Sequence, residues 1–388
     1  MGALDVAHSQ PLREHLAFDA EGDVAAQLAA VPGRWCVCLL SDTNDRPSLL
    51  VQVKNLRASL KNRLAPDPAD DDTPTRKIDY AGVIGHVRWC RVDSPFEADA
   101  VYLEAARFYF PDAYRGMLGY QPAAFVHVNP ATTYPRFTTE TDLTKKTGLY
   151  LGPMKDRAAA KRFREAVENA FDLCRDYTFL TNAPAAACPW RQMHKCVGPC
   201  DGSMSLDAYG HLVGHAAEVA ADPQAEIDQQ ERRMRAAAAD MRFETAADIK
   251  QFIAQLAELR AGPFKFVSRL TDLAWLTVQR GPKARAATLL LITPGQIRHV
   301  CTLKAPPEAA SDLLRTVYHT AEEARRTARP LTEAGADRMA VLANHLYAGK
   351  HQRSVFLPVA ELNEKTLSKA YKKVIASKSE DDEEHPAE

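Results

Sequence analysis

A chain of 388 residues has room for two or three domains, each with a core of its own. Its 46% hydrophobic and 26% charged residues exclude a disordered or fibrous class and are those of an ordinary soluble globular protein. The formal net charge of −1 decides nothing about nucleic acid, because charge is segregated: six Lys/Arg against two Asp lie between Arg34 and Arg63, while Glu380 to Glu384 is an acidic run. No run of eighteen apolar residues occurs, and MGALDVAHSQPLREHL lacks a basic segment followed by an apolar one. A spanning helix and a conventional secretory signal are thereby excluded. A cytoplasmic protein is expected, where clustered cysteines point to metal more often than to disulfides.

Residues 1–20 read as a flexible arm. From Gly33 the pattern turns to strands: RWCVCLL, the turn cluster SDTNDRP and then SLLVQV predict a hairpin. In KNLRASLKNRL the leucines at 56, 60 and 64 mark one helix face. Lys54, Arg57, Lys61 and Arg63 decorate the rest and could neutralise phosphates, the alternative being an ordinary solvated face. The polar loop APDPADDDTPT leads to a third strand, VIGHVRWCRV, and to a helix over about Pro95–Tyr109 bearing Glu97, Asp99 and Glu104. After GLYLGP a second basic helix carries Lys155, Arg157, Lys161, Arg162 and Arg164.

The stretch FDLCRDYTFLTNAPAAACPWRQMHKCVGPCDG has little helix or strand periodicity, yet holds Cys174, Cys188, Cys196 and Cys200. Four thiolates on one metal centre would fix its shape, since each metal–sulfur bond ties down backbone that packing does not. Four separately buried thiols are the alternative. Thiolates suit iron–sulfur and zinc alike. Structural zinc favours paired short spacings, and only Cys196 and Cys200 are that close, which leans toward a cuboidal 4Fe–4S cluster with zinc as the alternative.

Helices return after Gly202, with Ser205 placed to cap SLDAYGHLVGHAAEVAA. Asp222-Pro223 stops and restarts the chain. Ile227, Met234, Ala238 and Met241 form one apolar stripe; Phe243, Ala246, Ile249, Ile253, Leu256 and Leu259 form a second, and Gly262-Pro263 ends it. The two segments predict an antiparallel helical hairpin turning near Arg242. DLAWLTV and ATLLLITPGQIRHVCTL read as strands, helices follow at about 307–327 and 331–348, and SKSEDDEEHPAE reads as a disordered tail.

These segments together resemble the UvrC family of excinuclease proteins. VPGRWCVCLL and LLVQVKNLRASL stand where its GIY-YIG nuclease module has PG-(I/V)-Y and Y-(I/V)-G-K-A-K-N-L, and EADAVYLEAARFYFPDAYR stands at its E-A-L-L-L-E-N helix. YPRF and GLYLGPMKDRAAAKRF resemble the family's FPR and Y-F-G-P segments. The run ending KCVGPC is similar to P-C-L-x-Y-Q-I-x-R-C-x-x-P-C, whose cysteines hold an iron–sulfur cluster in the family. MRFETAADIKQFIAQL resembles the UVR motif, with Lys250-Gln251 in place of Arg-Asp.

The resemblance implies an α+β chain in six parts: the arm 1–20; a degenerate GIY-YIG-like domain with extension, 21–150; a basic helix and cysteine region, 151–203; a UVR-like hairpin, 204–262; an α/β region resembling the start of the family's RNase H-like domain, 263–350; and a C-terminal segment with the acidic tail, 351–388. It implies DNA and a UvrB-type helicase as partners, with Phe243, Glu244, Ala246, Ala247 and Lys250 on the hairpin meeting the latter. Aligned through Lys54-Asn55-Leu56, the family's catalytic tyrosines fall on Trp35 and Leu49, its glycine on Val51 and its helix arginine on Ser59. Only Glu104 stands where a carboxylate would bind magnesium or manganese, and one carboxylate holds such a cation weakly. The expectation is a retained module whose cutting chemistry is lost. The Asp/Asp/His set of the family's second nuclease is not found after residue 264, so that incision is expected to be missing as well.

Overall fold

The structure, a computed structural model, describes residues 10–64, 80, 82–144, 147–178, 188–307, 310–327, 330–348 and 354–376. The chain forms two compact units: one from residues 1–120, 274–322 and 348–388, the other from 121–273 and 323–347. Helices and small sheets alternate in both, which makes the chain α+β as its pattern predicts.

In the first unit, strands β1 (Glu14–Ala17), β2 (Cys36–Asp42), β3 (Pro47–Val53) and β4 (Ile84–Arg91) form an antiparallel sheet of order β1-β4-β2-β3. The central strand β2 is buried from Cys36 to Ser41, and β3 returns from it through the predicted turn, with Leu40 opposite Leu49. Helix α1 (Val24–Ala29) precedes β2; α2 (Leu56–Leu64) follows β3. Leu56, Leu60 and Leu64 pack on Cys36, Cys38 and Leu40, so the four-residue leucine spacing is the buried face. Strand β1 corrects the reading of residues 1–20 as an arm throughout. EHLA is too short for its alternation to stand out; long-range burial of Leu12 and Phe18 fixes it instead, with Leu16 packed against the α2 core.

Helix α3 (Pro95–Tyr109) starts at Ser94, whose side chain accepts from the Glu97 N–H at 3.1 Å, with Pro95 in the first turn. The Glu97 carboxylate reaches back to the Asp93 N–H at 2.9 Å, a capping box displaced by one residue. A short helix, α4 (Tyr114–Met117), ends this part.

The second unit opens with strands β5 (Ala124–Val128), β6 (Thr138–Glu140) and β7 (Leu149–Met154). Helix α5 (Arg157–Ala170) is capped by Asp156, which accepts from Ala159 N–H at 2.7 Å, and lays Ala159, Ala160, Phe163 and Val167 into the core beside the sheet. The cysteine region follows, with one helical turn, α6 (Pro189–Gln192). Helix α7 (Leu206–Ala221) is capped by Ser205 and buries Tyr209, Val213, Ala216, Ala217 and Ala220. Then α8 (Gln224–Ala239) and α9 (Phe243–Glu258) pack on each other as the predicted hairpin. The short β8 (Ser268–Arg269) completes an antiparallel sheet of order β6-β5-β7-β8.

The first unit resumes with β9 (Trp275–Arg280) and the hairpin β10 (Ala287–Thr293) to β11 (Gln296–Leu303). Helix α10 (Ser311–Arg326) comes next and α11 (Glu333–Tyr347) belongs to the second unit, both near their predicted bounds. Strand β12 (Ser354–Pro358) then pairs antiparallel with β9, giving the order β11-β10-β9-β12, and α12 (Glu364–Ala376) buries Leu367, Ala370, Tyr371 and Val374 against it. The acidic stretch from 377 lies outside the described residues. Among the described residues no helix is long and apolar enough to cross a membrane.

Candidate metal centre and interaction faces

Between α5 and α7 the described residues carry little regular structure besides the turn of α6, and backbone and side-chain bonds set their course. Leu173 N–H bonds the Glu168 carbonyl at 2.9 Å, Val197 N–H bonds the Asp172 carbonyl at 3.0 Å, and Arg175 donates to the Asn169 side chain and the Lys195 carbonyl while stacking on Trp190. Arg191 pairs with Asp201 at 2.5 Å and reaches Ser203 at 2.6 Å, clamping the loop that carries Cys196 and Cys200. Asp172 and His194 take positive φ, as does Gly198 at 75°, where an added Cβ would meet Asp201 at 2.6 Å. Glycine in KCVGPC is thus required twice over.

All four cysteines are free; Cys174, Cys188 and Cys196 are buried and Cys200 is half-buried. The Cys174 thiol donates to the Asp176 carbonyl at 3.5 Å. Nearby Cys196 and burial hold the Cys174 proton above its ordinary range, while Cys174, the Gly198 N–H, Arg175 and Arg191 draw Cys196 down. Burial and the charge on Cys196 raise Cys200, which also senses Cys188. Among the described residues no group of three His, Cys, Asp or Glu is closed tightly enough to grip an ion as it stands. The donor chemistry nevertheless fits a thiolate-bound centre: sulfur ligands, nearby cations and a backbone N–H directed at sulfur at 3.5 Å.

Behind Cys174 lies a partnership that the sequence pattern did not single out. Its N–H donates to the Tyr209 hydroxyl at 3.1 Å; that hydroxyl is 3.3 Å from Tyr177 Oη, which bonds the Pro135 carbonyl at 3.0 Å. Tyr209 is fully buried. The available signal was an aromatic on the buried face of an otherwise alanine-rich helix.

In the front module Leu49 is half-buried against the core, opposite Leu40, and Ser59 sits mid-helix on α2 accepting from Arg63. Glu104 is half-buried on α3. The basic residues there serve mixed ends. Arg57 is spent on the carbonyls of Val31 at 2.9 Å and Ala29 at 3.0 Å, and Arg63 folds back on Ser59, whereas Lys61 stands exposed and Lys54 lies before the helix. On α5, Lys161 is 3.9 Å from Glu165, and Arg162 stands exposed beside a small cleft shared with Gln255 and Glu258 of α9.

At the hairpin tip, Met241 and Phe243 are 76% and 67% exposed, the two most exposed large apolar side chains described. Glu244, Ala247 and Lys250 are exposed along α9, and Ala246 is half-buried.

An α+β protein with a cysteine-bearing loop between two packed helices is the class that this geometry defines. Residues 124–219, which open at β5 and close in α7, match the family model of the UvrC/Cho excinuclease middle domain. The chain is 25% identical over 191 residues to the UvrABC system protein C of Wolinella succinogenes, covering 49% of this chain and 31% of that protein. It is 31% identical over 117 residues to that of Hyphomonas neptunium, covering 29% and 19%, and 24% identical over 277 residues to that of Solibacter usitatus, covering 71% and 43%. The chain is thus similar in its middle part to UvrC-type proteins, and these alignments span less than half of each relative's own length. No solved structure gives a significant match.

Proposed function

We propose that this chain serves nucleotide excision repair as a UvrC-like protein that binds DNA and a UvrB-type helicase without cutting. The observation that carries the reading is the middle-domain match, which encloses all four clustered cysteines. In this reading Cys174, Cys188, Cys196 and Cys200 hold a 4Fe–4S cluster, with zinc as the alternative. The group's contribution is structural: it ties the irregular loop to α5 and α7. Lys54, Lys61, Lys161 and Arg162 meet phosphate, while Arg57 and Arg63 shape the surface that presents them. Phe243, Glu244, Ala246, Ala247 and Lys250 face the partner, with Phe243 as the apolar anchor.

The loss of cutting rests on Leu49. Without a hydroxyl at that position, no group there aligns water or moves a proton. Incubation of damaged and flapped duplexes with magnesium or manganese tests it: intact strands are expected, and cleavage abolished by Glu104→Ala would overturn the reading. Absorption and metal analysis of anaerobically purified protein test the centre. A brown protein with broad visible absorption is expected, whereas one equivalent of zinc in a colourless protein selects the alternative. Affinity capture tests the partner: a UvrB-type helicase is expected, and a Clp-type chaperone in its place would move the hairpin to an adaptor role.

A further inference from the structure

The loop joining β5 to β6 roofs a cleft of about 600 Å³ lined by His127, Asn129, Thr133, Tyr134, Arg136 and Tyr177, among others. A second cleft of about 280 Å³ shares Arg136, Thr138 and Tyr177 with it and adds Arg164 and Arg175. The shared residues make them one groove with a roomy aromatic end, where Arg136 stands, and a narrower end where Arg164 and Arg175 lie with Glu168 and Asp176. A volume of several hundred Å³ suits a ligand about as large as a nucleotide.

Three groups at the roomy end have unspent bonding capacity. Arg136 stacks on the Tyr177 ring at 5.6 Å and makes no hydrogen bond or ion pair among the described residues, which leaves its planar fork of donors open. Tyr134 is 39% exposed, and among the described residues neither its ring nor its hydroxyl is engaged. Asn129 uses its side-chain oxygen to accept from Ala131 N–H at 3.1 Å, so its amide N–H donors remain available. Tyr177, by contrast, is fixed, its hydroxyl held between Pro135 and Tyr209. A guanidinium on a pinned aromatic wall, an open tyrosine and a free amide together suit one kind of ligand. Aromatic faces take a base, the guanidinium takes phosphate, and the amide reads a base edge.

We infer that this groove of the middle domain binds a nucleotide unit with an unpaired base, its phosphate on Arg136 and its base against Tyr134. This goes beyond the DNA contacts proposed above, because Lys61, Lys161 and Arg162 do not line the groove, to which the basic helix α5 contributes, of its cations, Arg164 alone. A duplex buries its base faces in the stack, so a single strand or an extruded base is the form that fits.

The test uses the full chain with a fluorescent eight-nucleotide thymidine strand, a matched duplex and thymidine monophosphate as competitor. Thermal unfolding confirms that Arg136→Ala and Tyr134→Ala are folded, as expected for exposed positions. The single strand should bind, and Tyr134→Ala should weaken it roughly fivefold or more, the loss of one stacked base. Arg136→Ala should weaken it similarly and reduce the salt slope by about 0.7, one phosphate contact on a single strand. Duplex affinity should not move. Competition by the mononucleotide at equal affinity identifies a free nucleotide as the occupant; binding of the strand alone identifies nucleic acid. Unchanged single-strand affinity in both variants, or no binding of strand and mononucleotide alike, overturns the inference. Failure of the wild type to bind duplex would sink the earlier DNA reading and leave this one standing.

Discussion

Glu97 shows how a capping residue becomes a pH sensor. Its carboxylate secures the start of α3 by accepting from Asp93, but it is half-buried, and desolvation pushes it up to about 7, against 4.5 for the ordinary side chain. The folded state therefore holds the proton more tightly than the unfolded chain. The stabilisation is fully present below about 4.5 and is lost as pH rises through about 7. Its size is at most about 3 kcal/mol. In Glu97→Gln the amide oxygen still accepts from Asp93 while nothing ionises, so the urea midpoint should fall less between pH 5 and 7.5 than in the wild type. Equal slopes would show that Glu97 is not the source. Tyr209 makes a different residue-scale case. Tyr209→Phe removes the acceptor for Cys174 N–H and strands a buried donor, which costs about 1–3 kcal/mol in denaturant unfolding. Only the backbone N–H of Cys174 is orphaned, so visible absorption from a cluster, if one forms, should persist. Neither residue's role was legible beforehand: α3 was read by its charges, and the Tyr177–Tyr209 pair joins positions 32 apart in the chain.

At the scale of elements, the hairpin was the most legible feature and its tip the least. The apolar stripe of α9 and the turn near Arg242 follow from 3.6-residue periodicity and local propensity, whereas α8 buries Gln230 and Ala237 and leaves Ala238 and Met241 of its expected stripe exposed. The turn itself closes by Arg242 N–H to the Ala237 carbonyl at 2.8 Å and Met241 N–H to the Ala238 carbonyl at 3.0 Å, the double bond of a Schellman motif. Its left-handed position, normally glycine, holds Met241 at φ 58°. A side chain there costs about 1 kcal/mol, and such strain tends to persist where a surface is used. Met241→Gly should therefore raise stability by about 0.5–1 kcal/mol in thermal unfolding, while weakening a helicase contact that uses the exposed methionine. A variant both more stable and equally well bound would leave Met241 out of the interface. Short sheet edges were hidden for the opposite reason. Strand β1 has four residues and β8 has two, too few for alternation to register, and their pairing with β4 and β7 is decided by distant partners.

For the whole molecule, charge balance sets how any duplex binding must respond to salt. A net charge of −1 gives no long-range attraction to a polyanion, so affinity has to come from the few cations that are not already committed. Sequence spacing offered nine on the two basic helices and their leads, but folding spends several: Arg57 caps carbonyls, Arg63 folds onto Ser59, Arg157 donates to Thr141, and Arg164 pairs toward Glu168. Lys61, Lys155 and Arg162 remain exposed and outside any ion pair among the described residues. If Lys61 and Arg162, the two of these three proposed above to meet phosphate, carry the contacts, the logarithm of duplex affinity should fall with the logarithm of salt at a slope of about −2. Arg162→Glu should flatten that slope by about 1, whereas Arg57→Ala should lower thermal stability by freeing two carbonyls at the end of α1, without changing the slope. Titrations of fluorescent duplex between low and moderate salt separate the two. A steep slope untouched by Arg162→Glu would mean that the phosphate-binding surface lies elsewhere, since a cation that folding has already paired releases no counterion when DNA arrives.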